Sequence, residues 1–217
     1  LTDVTGVQTC ALPILPPMGK QVVLREHQYR RFGDPAFALD LAKRLIDTKM
    51  GNMCTMVRYM KRSARGTAQL CAPIEELRKR LRDCNSREEI MGTEGAAARH
   101  YFQIYGSEFP PPFQFKLRSR PAEDPANALL NLGYMTLLHE LEAHLESHHF
   151  DPCFGVLHAI QDGRPSLALD LMEEFRQPLI DLFVMKIVNL GQMKKDHFQK
   201  TEEGLQITDE GDRKSVV

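Results

Sequence analysis

Apolar residues recur every three or four positions along most of this chain, a period that predicts helices. Val22 to Arg31 leads into Asp34 to Asp47, where Phe37, Leu39, Leu41, Ala42 and Leu45 fall at helical spacing. A second helix is expected from Met50 to Arg62, and Pro73 opens another over Ile74 to Leu81, basic on its outer face. Ser86 followed by Glu89 is a capping box, so the next helix starts there and runs to about Tyr105, with Gly106 as its stop. Gly106 to Pro125 is rich in Pro, aromatic and basic residues and is long enough to be a functional or mobile loop. Leu130, Tyr134, Leu138, Leu141 and Leu145 then make one stripe of a helix from about Pro125 to His148. Pro165-Ser166 opens a last long helix to about Leu190, bent at Pro178, and Thr201 to Glu210 has the pattern of a small hairpin. The expected fold class is mainly α.

Composition narrows this little. The chain has 217 residues, 42% of them apolar, a content suited to one good-sized domain, or one domain plus the remnant of another. No run of about eighteen apolar residues is present to span a membrane. Cys10, Cys54, Cys71, Cys84 and Cys153 form no C-x-x-C pair, which fits core-filling thiols in a reducing cytoplasm. Net charge is −1, so no overall basic balance points to nucleic acid, although Lys61, Arg62 and Arg65, Arg78 to Arg80 with Arg82, and Lys116, Arg118 and Arg120 form basic clusters. Leu1 to Ile14 and Asp212 to Val217 back-translate to something like a common sequencing adaptor. Both are set aside as foreign, leaving 15–24 as a linker or β-domain remnant and 25–211 as the helical domain.

Three acids break the apolar pattern. At about 100° per residue, Ile90, Ala97, Tyr101 and Tyr105 fall on one side of their helix, and Glu94 sits in the middle of that stripe. A carboxylate facing a core must be paired, hydrogen-bonded or metal-bound. One alternative is a buried Glu paired with Arg99 or Arg176. The last helix is apolar on most of its circumference, yet carries Asp170 and Glu173 three residues apart on one face. Adjacent like charges repel, which is tolerable mainly when a cation lies between them. His158, in the apolar stretch just ahead, adds an imidazole, and carboxylates with one imidazole suit Mg²⁺ or Mn²⁺. Glu174 falls near the far side and is not expected to be a ligand.

Competing motifs fail on geometry. His139-Glu140 with His144 is one residue too long for H-E-x-x-H, so the two imidazoles point about 140° apart. Glu146 with His149 is a single E-x-x-H where di-iron bundles need two. Phosphate-binding, esterase and dinucleotide glycine motifs are absent from the sequence.

At the anomalous acids the chain resembles a known family. Glu94-Gly95, Ala98-Arg99 and Tyr101-Phe102 resemble the E-G-x-x-A-R-x-Y-F motif of the CRISPR-associated spacer-acquisition integrases. Asp124-Pro125, Asn127 to Asn131 and Gly133-Tyr134 are similar to the D-P-x-N-A-L-L-N-x-G-Y segment of that family. Asp151-Pro152, Gly155 and Leu157-His158 resemble D-P-x-x-G-x-L-H, and Pro165 to Glu173 resembles P-S-L-A-L-D-L-M-E. Lys49 and Asn52 resemble a K-x-x-N. The resemblance runs from about Val22 to Gly211. Glu174 stands where many members have Pro, and His149 and Phe150 occupy a turn that often has Gly.

The resemblance implies the family's helical catalytic domain, with its N-terminal β domain almost wholly missing. It places the metal ligands on Glu94, His158 and Glu173, with Asp170 as a supporting acid and Mg²⁺ or Mn²⁺ as cofactor. The implied activity is a DNA endonuclease and integrase in which a 3′-hydroxyl attacks a phosphodiester of the CRISPR repeat, so that short DNA fragments enter as spacers in antiviral defence. Implied partners are DNA, a second copy of the chain and a small CRISPR-associated protein. Arg99, Arg118 and Arg120 are the candidate phosphate contacts. Two other readings stay open: a metal nuclease that cleaves branched or single-stranded DNA, and a non-enzymatic helical DNA-binding scaffold whose acids pair with Arg.

Overall fold

Asp34 caps a helix by accepting hydrogen bonds from Ala36 N (2.9 Å) and Phe37 N (3.3 Å), and Pro35 at the first helical position fixes φ for it. That helix is the axis of the molecule. In a computed structural model of the chain, which describes residues 21–61, 67–202, 204–208 and 211, it runs unbroken over Pro35–Met60. It follows α1 (Val22–Phe32) and is α2; α3 (Thr67–Arg80), α4 (Arg87–Ser107) and α6 (Ser166–Phe175) pack around it, and α5 (Pro125–Ser147) lies against α6. The fold is mainly α, as the periodicity predicts, and among the described residues the sole sheet is a two-stranded hairpin. No described helix is long and apolar enough to cross a membrane.

Several boundaries differ from expectation for physical reasons. The two helices expected over 34–62 are one, because Met50, Met53 and Cys54 on either side of Gly51 are fully buried. Their burial, about 1.5–3 kcal/mol for a large side chain, outweighs the roughly 1 kcal/mol helix cost of one Gly. Pro73 does not open α3 but lies inside it, two turns after Thr67. Gly106 does not stop α4; it is buried within the last turn, where a Cβ would come within 2.1 Å of Phe115 O. The loop after α4 therefore crosses the helix at Gly106, and Phe109, Phe113 and Phe115 are buried in the core. The segment expected to be a functional or mobile loop is pinned by its aromatics. The hairpin sits three residues earlier than expected, with β1 (Phe198–Thr201) antiparallel to β2 (Gly204–Ile207) and Phe198 opposite Ile207. Val22 to Leu24, assigned to a linker or β remnant, begin α1. Leu1 to Ile14, the rest of the expected remnant up to residue 20, Arg62, Arg65, and Asp212 to Val217 lie outside the described residues.

Pro178 interrupts the last helix as expected, but by a widened turn over Arg176–Asp181 of π type, before α7 (Leu182–Asn189). A proline has no N–H to give the carbonyl four residues back. That carbonyl belongs to Glu174, and Asn52 Nδ2 of α2 donates to it at 2.8 Å. π-type turns recur at functional sites, and this one separates the acids of α6 from a buried carboxylate, Asp181.

Candidate active site

The segment from Asp151 to His158 wraps the start of α6, with Asp170 at its centre. Asp170 is wholly buried. Its Oδ2 accepts hydrogen bonds from Val156 N (2.6 Å) and Leu157 N (2.9 Å), and its Oδ1 from His158 N (2.8 Å) and His158 Nδ1 (2.8 Å). The chain can pass this close because residue 155 is glycine: a Cβ there would lie 2.5 Å from Asp170 Oδ2. From the other side, Gln28 of α1 pairs with the backbone of Asp151, and Tyr29 OH donates to its side chain at 2.7 Å. Asp170 thus does not reach toward Glu94 and Glu173. It acts on His158: the tautomer whose Nδ1–H donates to that carboxylate carries its lone pair on Nε2, the form in which imidazole binds a metal.

That Nε2 lies 4.0 Å from Glu173 Oε1. Glu173, one turn along α6, is buried among cations. Arg176 Nη2 donates to Oε1 at 3.1 Å and Nε lies 3.0 Å from Oε2 as an ion-pair contact outside hydrogen-bond geometry, while Arg176 Cζ stacks 4.4 Å from the Tyr134 ring centroid. Lys49 of α2 contacts Glu173 Oε2 and also Glu94 Oε1 of α4, the latter at 2.5 Å. Burial alone would push the Glu173 carboxyl up, but Lys49 and Arg176 overcome it and hold the group down at about 2. Burial likewise pushes Lys49 down, and Glu173 with Glu94 outweighs it, leaving the ammonium raised.

So two expected ligands converge on one cation, and the third faces one of them. The cation is a lysine rather than an arginine, and neither Arg99 nor Arg176 pairs with Glu94 in the contacts of the described residues. Among the described residues no three His, Cys, Asp or Glu side chains are grouped closely enough to hold an ion as they stand. The donor set nonetheless suits a hard divalent ion in chemistry, with two carboxylates and one neutral imidazole. Lys49 was legible as more than part of a K-x-x-N: it interrupts the buried stripe Leu45, Ile46, Met50 and Met53 much as Glu94 interrupts its own.

A third buried acid, Asp181, lies beyond the expected site residues. Asp181 accepts from Tyr134 OH (2.5 Å) and Tyr101 OH (2.7 Å) through its side chain, and from Tyr105 OH (2.8 Å) through its carbonyl. Burial pushes its carboxyl up to about 6 against those hydrogen bonds. Its signal was the same as that of Glu173, an acid in the apolar run Leu179 to Val184. The network fixes the Tyr134 ring, over which Arg118 Cζ lies at 5.2 Å in addition to Arg176.

Lys49, Glu94 and Glu173 line a cavity of about 390 Å³ together with Arg118, Arg120 and Arg176, whereas His158, Asp170 and Asp181 are not part of its lining. Arg118 is tied down by Asn127 and by Asn131 Oδ1 (2.6 Å), Arg120 is exposed, and Arg99 is exposed without lining the cavity. The rejected His139, Glu140 and His144 are all exposed on α5, away from this site.

Comparison with known proteins places the chain. The profile of CRISPR associated protein Cas1 matches residues 6–217. The chain belongs to the Cas1 family. A CRISPR-associated Cas1 endonuclease of Thermus thermophilus is 36% identical over 199 residues, 91% of this chain and 58% of that relative. Another Cas1 endonuclease, from Rhodospirillum rubrum, is 34% identical over 93% of this chain and 62% of its own length. The chain thus spans about three fifths of these Cas1 relatives. Among solved structures, a Cas1 protein from Thermotoga maritima superposes with a TM-score of 0.81 at 25% identity, over 94% of this chain and 63% of that one. A casposase bound to its integration product gives 0.80 at 29% identity, over 94% and 57%.

Proposed function

We propose that this chain is the catalytic part of a metal-dependent DNA endonuclease and integrase that inserts short DNA fragments into a CRISPR array. The observation that carries the proposal is the convergence of Glu94 and Glu173, from two helices, on a single buried cation, with the metal-ready nitrogen of His158 beside Glu173. Glu94, His158 and Glu173 would hold Mg²⁺ or Mn²⁺, which would supply Lewis-acid stabilisation of charge on a phosphoryl group and its leaving oxygen. Asp170 orients His158, and Arg176 orients Glu173. Arg120 at the cavity rim, Arg118 behind it and Arg99 on α4 are assigned to phosphates, fixing the strand without reading bases. In the reaction the oxygen of a fragment's 3′-hydroxyl attacks the phosphorus at the end of the repeat and gives up its proton, while the 3′ oxygen formerly bound to that phosphorus leaves and takes one up. One phosphodiester replaces another, so nucleotide hydrolysis is not needed.

Further support comes from what the relatives are. Curated relatives are named Cas1 endonucleases, one solved neighbour is a casposase holding an integration product, and others come from Cas6-RT-Cas1–Cas2 complexes. We infer a working assembly of a cytoplasmic homodimer joined to a small CRISPR-associated partner protein and to DNA; the Cas1–Cas2 complexes and the casposase with its integration product support the partner and the DNA. The ion pairs of Glu94 and Glu173 with Lys49 and Arg176 also suit a structural network in a scaffold, and one experiment separates the readings. The complete protein, its partner and a divalent ion are incubated with short 3′-hydroxyl DNA and a repeat-bearing plasmid. Joined product that disappears in Glu94→Ala and His158→Ala is expected. Cleavage with no joining would favour a nuclease, and no metal-dependent product at all would favour the scaffold.

A further inference from the structure

Lys49 stands where a cation shared by Glu94 and Glu173 would stand, and this has consequences for how an ion enters. We propose that the Lys49 ammonium and the divalent ion are alternative occupants of one position, so that the lysine holds the two carboxylates together until an ion displaces it. This rests on the metal-centre reading above.

The geometry is that of a shared point. Nζ meets one oxygen of each acid, Glu94 Oε1 at 2.5 Å and Glu173 Oε2, so both oxygens already face a common centre. Mg²⁺ draws carboxylate oxygens to about 2.0–2.1 Å, a contraction of a few tenths of an ångström about that centre. The ammonium fills the space between those two carboxylates.

Charge points the same way. Glu94 and Glu173 are balanced by Lys49 and Arg176, and Lys49 is only 7% exposed. A divalent ion added to that balanced set leaves an excess of two positive charges in a site that screens them poorly, and withdrawal of one ammonium halves the excess. Of the two cations only Lys49 is built to withdraw. Both border the cavity of about 390 Å³, but the planar Arg176 guanidinium donates to Glu173 and is stacked on Tyr134, whereas Lys49 is a point charge on a flexible stem.

An ion that must displace an internal cation binds with an apparent affinity reduced by the fraction of molecules already open. Removing the cation removes that reduction. Calorimetric titration of Mn²⁺ into the wild type and Lys49→Met, with thermal unfolding of each with and without Mn²⁺, tests this. The variant is expected to bind Mn²⁺ about 10- to 100-fold more tightly, to melt lower than wild type without the ion, and to gain more from it. Lys49→Gln, which keeps a neutral donor, serves if the methionine variant does not fold, and adding Glu94→Gln to either should abolish the gain. If the wild type binds Mn²⁺ and both Lys49 variants bind it equally or more weakly, the lysine is a companion of the ion and the proposal is wrong. If no folded variant binds Mn²⁺, the metal-centre reading fails and this proposal with it.

Discussion

Removing the Asp170 carboxylate tests how the site is built. Asp170→Ala leaves the main-chain N–H groups of Val156, Leu157 and His158 without their acceptor, together with His158 Nδ1. The carboxylate is wholly buried, so water does not replace it without opening the segment. A hydrogen bond to a charged group contributes about 1.5–3 kcal/mol, and an orphaned buried donor costs about 1–3 kcal/mol. The four bonds share one acceptor and do not add in full, which puts the loss at roughly 3–6 kcal/mol, a large part of the ~5–15 kcal/mol that holds a domain folded. Asp170→Asn keeps one acceptor oxygen and turns an NH₂ toward the other donors, so about 2–4 kcal/mol is expected on the same reasoning. Urea denaturation followed by circular dichroism measures both. With His158 released, affinity for Mn²⁺ should also fall about 10- to 100-fold, read by calorimetry on the folded fraction. An alanine variant within about 1 kcal/mol of wild type that binds Mn²⁺ unchanged would refute the assignment of Asp170 as the group that orients His158.

The two buried acids with shifted titration should bend the stability–pH curve in opposite directions. Asp181 is raised from 3.8 to about 6, so its contribution is greatest below its unfolded value and is lost as pH rises through about 6. The difference between Asp181→Asn and wild type should therefore grow in favour of the variant by about 3 kcal/mol from pH ~3.5 to ~7, and parallel curves would contradict it. Glu173 is lowered from 4.5 to about 2, so its stabilisation is present above 4.5 and disappears as pH falls toward 2; Glu173→Gln should flatten that acid limb in thermal unfolding. His149 holds φ 65° at the end of α5, in the left-handed region where a Cβ is unfavourable. His149→Gly should then stabilise the protein by about 0.5–1 kcal/mol in urea titration, and a loss of stability would show that the imidazole makes up for the strain.

Much of the fold and part of the site can be read from the residues alone. Helical period placed α4 and α5 close to their observed ranges and located the start of α6, and local chemistry set the starts of the first two: Ser86 accepts from Glu89 N at 3.2 Å and Asp124 from Asn127 N at 2.8 Å. Acids in apolar stripes marked Glu94, Asp170 and Glu173, because burial of a charge is improbable without a partner wherever the helix packs. Which partner each acid takes depends on side chains far away in sequence. Lys49 and Glu94 are 45 residues apart, Asn52 and the carbonyl of Glu174 are 122 apart, and Tyr101 and Asp181 are 80 apart. A helical period says which face is buried but not what lies across from it. Local patterning along the chain thus specifies where most helices run, how they are capped and which acids are out of place. Only the packing of α2 against α4 and α6 decided that a lysine bridges two of those acids, that Asp170 turns away to hold His158, and that Asp181 is enclosed by three tyrosines.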